Sequence, residues 1–145
     1  MRQSVIPIIL VAGLLGACSK PSAIVAAQAN GGSVQICISA SGLTPNGPVA
    51  VHALWPTGPV EPIGNSTAYA DGNYSQMATI ERGRCAPIGQ SPNVSYPDVD
   101  VFVADVTTSG IVVGPVNQGY FCPSIQPQPG PDPNWAKCCA KTGAC

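Results

Sequence analysis

Hydrophobic positions along this chain alternate with a period of two and nowhere sustain a helical period. Residues 33–40 show it most plainly, with Val34, Ile36 and Ile38 on one side and Gln35, Cys37 and Ser39 on the other. That pattern predicts a strand with one buried and one outward face, and it puts Cys37 outward. In residues 48–55, Val49, Val51, Ala53 and Trp55 share a face and leave His52 on the opposite one. The strongest run is 98–107, where Val99, Val101 and Val103 line up. Weaker runs at 23–28, 66–70, 73–80 and 111–116 complete the predicted strands.

Turn residues punctuate these runs. Asn30-Gly31-Gly32, Thr44-Pro45-Asn46-Gly47 and Ser109-Gly110 each separate two strands. Asp71-Gly72 lies between runs 66–70 and 73–80, as in a hairpin with a type I′ turn, whose two central residues need positive φ. Residues 56–64 read as a Pro-rich loop, and 82–97 as a long irregular stretch holding Cys85 and three prolines. From Asn117 onward the chain has neither period, only prolines and cysteines. Together these signals predict a small antiparallel all-β sandwich over residues 23–116, followed by a Pro/Cys-rich tail over 117–145. No internal repeat is evident.

The first residues follow a different rule. Arg2 supplies a positive n-region, and residues 5–15 are an unbroken apolar run of 11, too short to span a bilayer. The run ends in Leu15-Gly16-Ala17-Cys18. This resembles the lipobox of bacterial lipoproteins, in which an apolar residue and two small ones precede a cysteine. The resemblance implies a signal peptide over 1–17, a covalent lipid on Cys18 and a short tether over 18–22. It further implies that the exported chain is held in the cell envelope, and Ser19 after the cysteine points to the outer membrane if the host is Gram-negative. Two or more acyl chains anchor stably where one does not.

Composition narrows the choices of function. Charged residues make up 9 percent of the chain, while Gly and Pro number 16 each. Without Arg2 the mature chain of 128 residues carries five basic against seven acidic side chains. No basic stripe is present to track phosphates, which argues against nucleic acid as a partner. No second apolar run reaches the roughly 18 residues of a membrane span, leaving the lipid as the membrane contact.

Residues 33–36 running into Ser41-Gly42-Leu43-Thr44-Pro45-Asn46-Gly47, then 49–53, then Ala70-Asp71-Gly72-Asn73-Tyr74-Ser75 resemble the strand and turn grammar of bacterial immunoglobulin-like or fibronectin-III-like domains. That resemblance covers about half of the mature chain. The fold class it implies is an immunoglobulin-like β-sandwich, here with a disulfide-tied irregular C-terminal tail. It carries no site residues and says little about function.

Six cysteines follow the anchor: Cys37, Cys85, Cys122, Cys138, Cys139 and Cys145. An even number in an exported chain predicts three disulfides, with 15 connectivities open. The outward Cys37 argues against an antibody-type core bond and for at least one tail cysteine reaching Cys37 or Cys85. Neighbours Cys138 and Cys139 should take different partners. Their spacing makes a poor metal site, for there is no C-x-x-C and the single histidine is distant.

Catalytic groups are scarce. His52 is the only candidate base, on a solvent-facing strand position, and no G-x-S-x-G elbow presents a serine. Asp98, Asp100 and Asp105 fit exposed solubilising charges better than a paired-carboxylate or calcium site. Trp55, with Tyr69, Tyr74 and Tyr96, could form a ring platform for a sugar or peptide, although core packing suits such scarce aromatics better. Arg82 and Arg84 flank Gly83 and could meet an anionic partner. The expected function is a non-enzymatic binding or assembly module in the envelope, with a protein partner and no cofactor. The alternative is an enzyme inhibitor that inserts loop 56–64 or 82–97 into a cleft.

Overall fold

The computed structural model describes residues 20–56, 58–81, 98–122 and 129–143. Cys18, Cys85, Cys145, Tyr96, Arg82 and Arg84 lie outside the described residues, as does nearly all of the irregular stretch expected at 82–97.

Two antiparallel sheets make up the domain. The first has the order β1-β2-β5, from β1 (Ser22–Asn30), β2 (Ser33–Ser41) and β5 (Tyr74–Glu81). The second has the order β4-β3-β6-β7, from β3 (Pro48–Leu54), β4 (Val60–Thr67), β6 (Val99–Asp105) and β7 (Gly110–Val116). This is the small antiparallel sandwich that the alternating pattern predicts. Val34, Ile36 and Ile38 from β2 meet Val49, Val51 and Ala53 from β3 and Val99, Val101 and Val103 from β6 in one core. Trp55 and Phe121 join it edge to face, with ring centroids 5.1 Å apart.

Two edge strands, β1 and β7, close one side of the sandwich. They pack so tightly that a Cβ on Gly114 would lie 2.4 Å from Val25 Cγ2, so this position accepts only glycine without rearrangement.

Three local expectations are corrected. Residues 60–64 are not loop but the start of β4, while residues 68–70 leave the strand. Pro62 interrupts the alternation, yet β4 is an edge strand, where a missing backbone N–H breaks no ladder. Its register against β3 shifts between Val51↔Gly64 and His52↔Pro62, leaving Ile63 opposite no residue, a bulge that packs Ile63 against the core. The second correction concerns Asp71-Gly72, which does not join a hairpin: the runs before and after it belong to different sheets. Gly72 has φ +81°, but Asp71 is not left-handed. Its carboxylate instead accepts from the backbone N and side-chain Nδ2 of Asn73, each at 3.0 Å, a local turn of the chain from one sheet to the other.

The third correction is in the tail, which contains a helix, α1 (Trp135–Thr142), after a single 3₁₀ turn at Gln118–Tyr120. Two helical turns are too short to show a period in sequence or to be stable alone. They are held from outside. The Asp132 carboxylate accepts from the Asn134 backbone N at 2.9 Å and from the Ala27 backbone N at 3.0 Å. The second of these bonds caps a donor on the free edge of β1, a site where another strand would otherwise pair. At the other end Gly143, at φ +72°, caps the helix and donates to the Cys139 carbonyl.

Cys138 of α1 is disulfide-bonded to Cys37 of β2, 101 residues earlier. Cys37 faces away from the main core, as its place in the alternation predicts, yet it is fully buried because α1 covers it. Ala26, directly across the strand pair from Cys37, is buried with it, and Ile24 and Trp135 flank the contact. Small residues at Ala26 and Cys37 let the helix come close. The tail thus clasps the outer face of the first sheet. Cys139 is also disulfide-bonded, and so to a partner other than its neighbour; Cys122 is bonded as well.

Candidate functional site

With α1 over the first sheet, the outer face of the second sheet is the broad surface that no described element covers. Strand register builds it in three rows. One row runs Asn65, Ala50, Ala104, Ile111 from β4 to β7; the next Pro62, His52, Phe102, Val113; the last Val60, Leu54, Asp100, Pro115. All share the outward parity opposite Val51, Val101 and Val103. Most are apolar. Val60 is 60% exposed, Ile111 61% and Val113 46%, and Phe102 is half-buried between His52 and Val113. Among the described residues of this face only His52 and Asp100 are ionisable. No described helix or strand is laid over it.

Apolar residues exposed singly need no explanation, but a contiguous face of them marks a surface that meets another one. Sheet faces pack about 10 Å apart by interdigitating such rows, and a second β-sheet or an amphipathic helix fits equally. His52 and Asp100 are the ionisable points of this face and stand in adjoining rows.

Sequence reasoning placed His52 outward correctly but did not single out this face. The available signal was Phe102, which stands at the outward parity between Val101 and Val103, and the run Ile111-Val112-Val113, apolar at both parities.

Trp55 packs in the core, the role that suits such scarce aromatics better, and offers no ring platform on the surface. Trp55 is 3% exposed, its ring packs on Phe121, and its Nε1 donates to Glu61 Oε2 at 3.0 Å. Tyr74 is likewise buried, whereas Tyr69 is 55% exposed. The connection after Trp55 is tight, with Gly58 N donating to the Trp55 carbonyl at 2.8 Å and Trp55 N to the Pro59 carbonyl at 3.0 Å. That leaves no long loop at 56–64 for insertion into a cleft.

Asp105 corrects the expectation of an exposed charge. It is 3% exposed at the end of β6, and its Oδ2 accepts from the Thr44 backbone N and hydroxyl, both at 2.8 Å. Its Oδ1 accepts from Thr107 N at 3.2 Å. Burial pushes this carboxyl up, but the bonds from Thr44, Thr107 and Thr108 outweigh it and hold the group below its ordinary range. Asp105 is a structural pin between the β2–β3 loop and the β6–β7 turn. Asp100 is half-buried in the open face and Asp98 is exposed.

No group of three or more His, Cys, Asp or Glu side chains among the described residues is arranged to hold a metal ion. Gln118 is buried without a hydrogen-bond partner for its amide, a polar group spent inside the core near β1. Compared with protein-family models, with curated proteins and with solved structures, the chain matches none.

Proposed function

We propose that this protein is an exported lipoprotein, anchored through a lipid on Cys18, that binds a protein partner in the cell envelope through the outer face of its second sheet. The role is non-enzymatic and needs no cofactor. The observation that carries it is the largely apolar face built around Phe102, Ile111 and Val113, exposed while α1 covers the middle of the opposite sheet over Ala26 and Cys37. A partner suited to this face is itself apolar and nearly uncharged, because a charged one would lose its hydration against a surface with only His52 and Asp100 to answer it. Membrane attachment is assigned to Cys18 on the Leu15-Gly16-Ala17-Cys18 motif and the apolar run before it. Among the described residues no helix is long and apolar enough to cross a membrane. In a Gram-negative host the anchor is in the outer membrane.

Photo-crosslinking in living cells tests the face. A photoreactive residue at Val113 is expected to give one protein adduct, the same on repetition, that disappears when Ile111→Asp is added. The same group at Met77, exposed on β5 of the other sheet, should not give it. An adduct of twice the chain's mass would replace the partner with a second copy. A crosslink within the chain would mean that the protein covers its own face. Either result, or none at Val113, overturns this reading.

A further inference from the structure

A second surface, at the end of the sandwich where β2 finishes and β5 begins, has another chemistry. A groove of about 430 Å³ is lined there by Ser39, Tyr69, Asp71, Asn73, Ser75 and Lys141. Ser41, Asp71 and Asn73 are shared with a neighbouring groove of about 630 Å³ that continues to Lys20. Such volumes lie within the range of small-molecule sites. We infer that this groove is a saccharide site, taking a short uncharged glycan segment.

Tyr69 provides the platform. It is 55% exposed, and its hydroxyl lies 3.2 Å from the Ser75 hydroxyl, so the ring is fixed at one end while much of it meets solvent. An exposed, oriented aromatic ring offers apolar surface to the C–H face of a pyranose. Beside it, Asp71 is held by its bonds to the backbone N and Nδ2 of Asn73. A carboxylate has about four lone-pair sites, so two accepted bonds leave capacity for sugar hydroxyls. Such charge-assisted bonds are the strong ones. The serine hydroxyls both donate and accept, as sugar hydroxyls do, and Lys141 of α1 adds a donor at the rim. One carboxylate and one ammonium balance in this groove, which suits a neutral ligand better than a phosphate. Because ring and carboxylate are already oriented, little ordering opposes binding. The site is independent of the sheet-face reading and of lipidation.

Titration of the natively purified, oxidised protein with soluble tetrasaccharides of N-acetylglucosamine and of glucose tests the site, followed through backbone amide signals. At least one tetrasaccharide is expected to shift the signals of Gly72, Asn73 and Ser75 together and saturably. Tyr69→Ala should weaken that binding tenfold or more, while Tyr69→Phe, which keeps the ring, should stay within threefold of the parent. Binding unchanged in Tyr69→Ala, or no saturable shift with any of the tetrasaccharides, would overturn the proposal.

Discussion

Replacing Cys37 and Cys138 together by alanine is expected to lower the stability of the domain by about 4 kcal/mol. The bond closes a loop of 101 residues. In the chain-entropy model a crosslink of that span removes close to 5 kcal/mol of freedom from the unfolded chain. The two-turn helix adds to the loss, since its hold on the sheet is small: Ala26, Cys37 and Cys138, with Ile24 and Trp135 at the margin. For a domain of this size the drop corresponds to a fall in Tm of roughly 10–15 °C. Thermal melts of the parent and the double variant measure it, and amide exchange should show α1 opening before the sheets. A fall of less than about 1 kcal/mol, with α1 still protected, would mean that the clasp does not depend on this bond.

Asp105→Asn is expected to cost about 3 kcal/mol and to alter how the protein responds to acid. The carboxylate receives two bonds on Oδ2 and one on Oδ1, from donors that no other group satisfies in the same way. An amide keeps one acceptor oxygen and turns an NH₂ toward the other donors, leaving buried groups opposed. The folded-state pKa of Asp105 lies below the ordinary aspartate value. Its contribution is therefore complete above the unfolded value near 4 and is lost as pH falls through the folded one. Denaturant unfolding at pH 7 and at about pH 3 should show the parent losing more stability than Asp105→Asn across that interval. Equal losses would assign acid sensitivity to other carboxyls.

The sequence made β2, β3 and β6 legible because each has one set of alternating positions in the core, so burial imposes a period of two. The same rule explains why β1 was faint. Val25 and Ala27 point into the core, while Ala26 between them is buried under α1, so its pattern does not alternate. Alternation tells which way a side chain points but not which strand lies beside it, and for that reason the runs around Asp71-Gly72 looked like a hairpin. β4 was hidden by Pro62 and Gly64, residues that a bulged edge strand tolerates. The helix was hidden because its eight residues are too few to show a helical period. Outward placement of Cys37 was the trace it left in the sequence. The open face was harder to see, since its three rows come from four strands and exist only once their register is known.

The central claim is that an export signal ends at Ala17 and a lipid on Cys18 holds this clasped sandwich in the envelope. Intact mass of the protein extracted from membranes without reductant tests it most directly. The expected result is a chain that begins at Cys18, carries the mass of a diacylglyceryl group and is lighter than its reduced form by two hydrogens for each disulfide. Cys18→Ala should yield no such species and incorporate no labelled palmitate. A mature chain that begins elsewhere, or one that begins at Cys18 without lipid, would contradict the account.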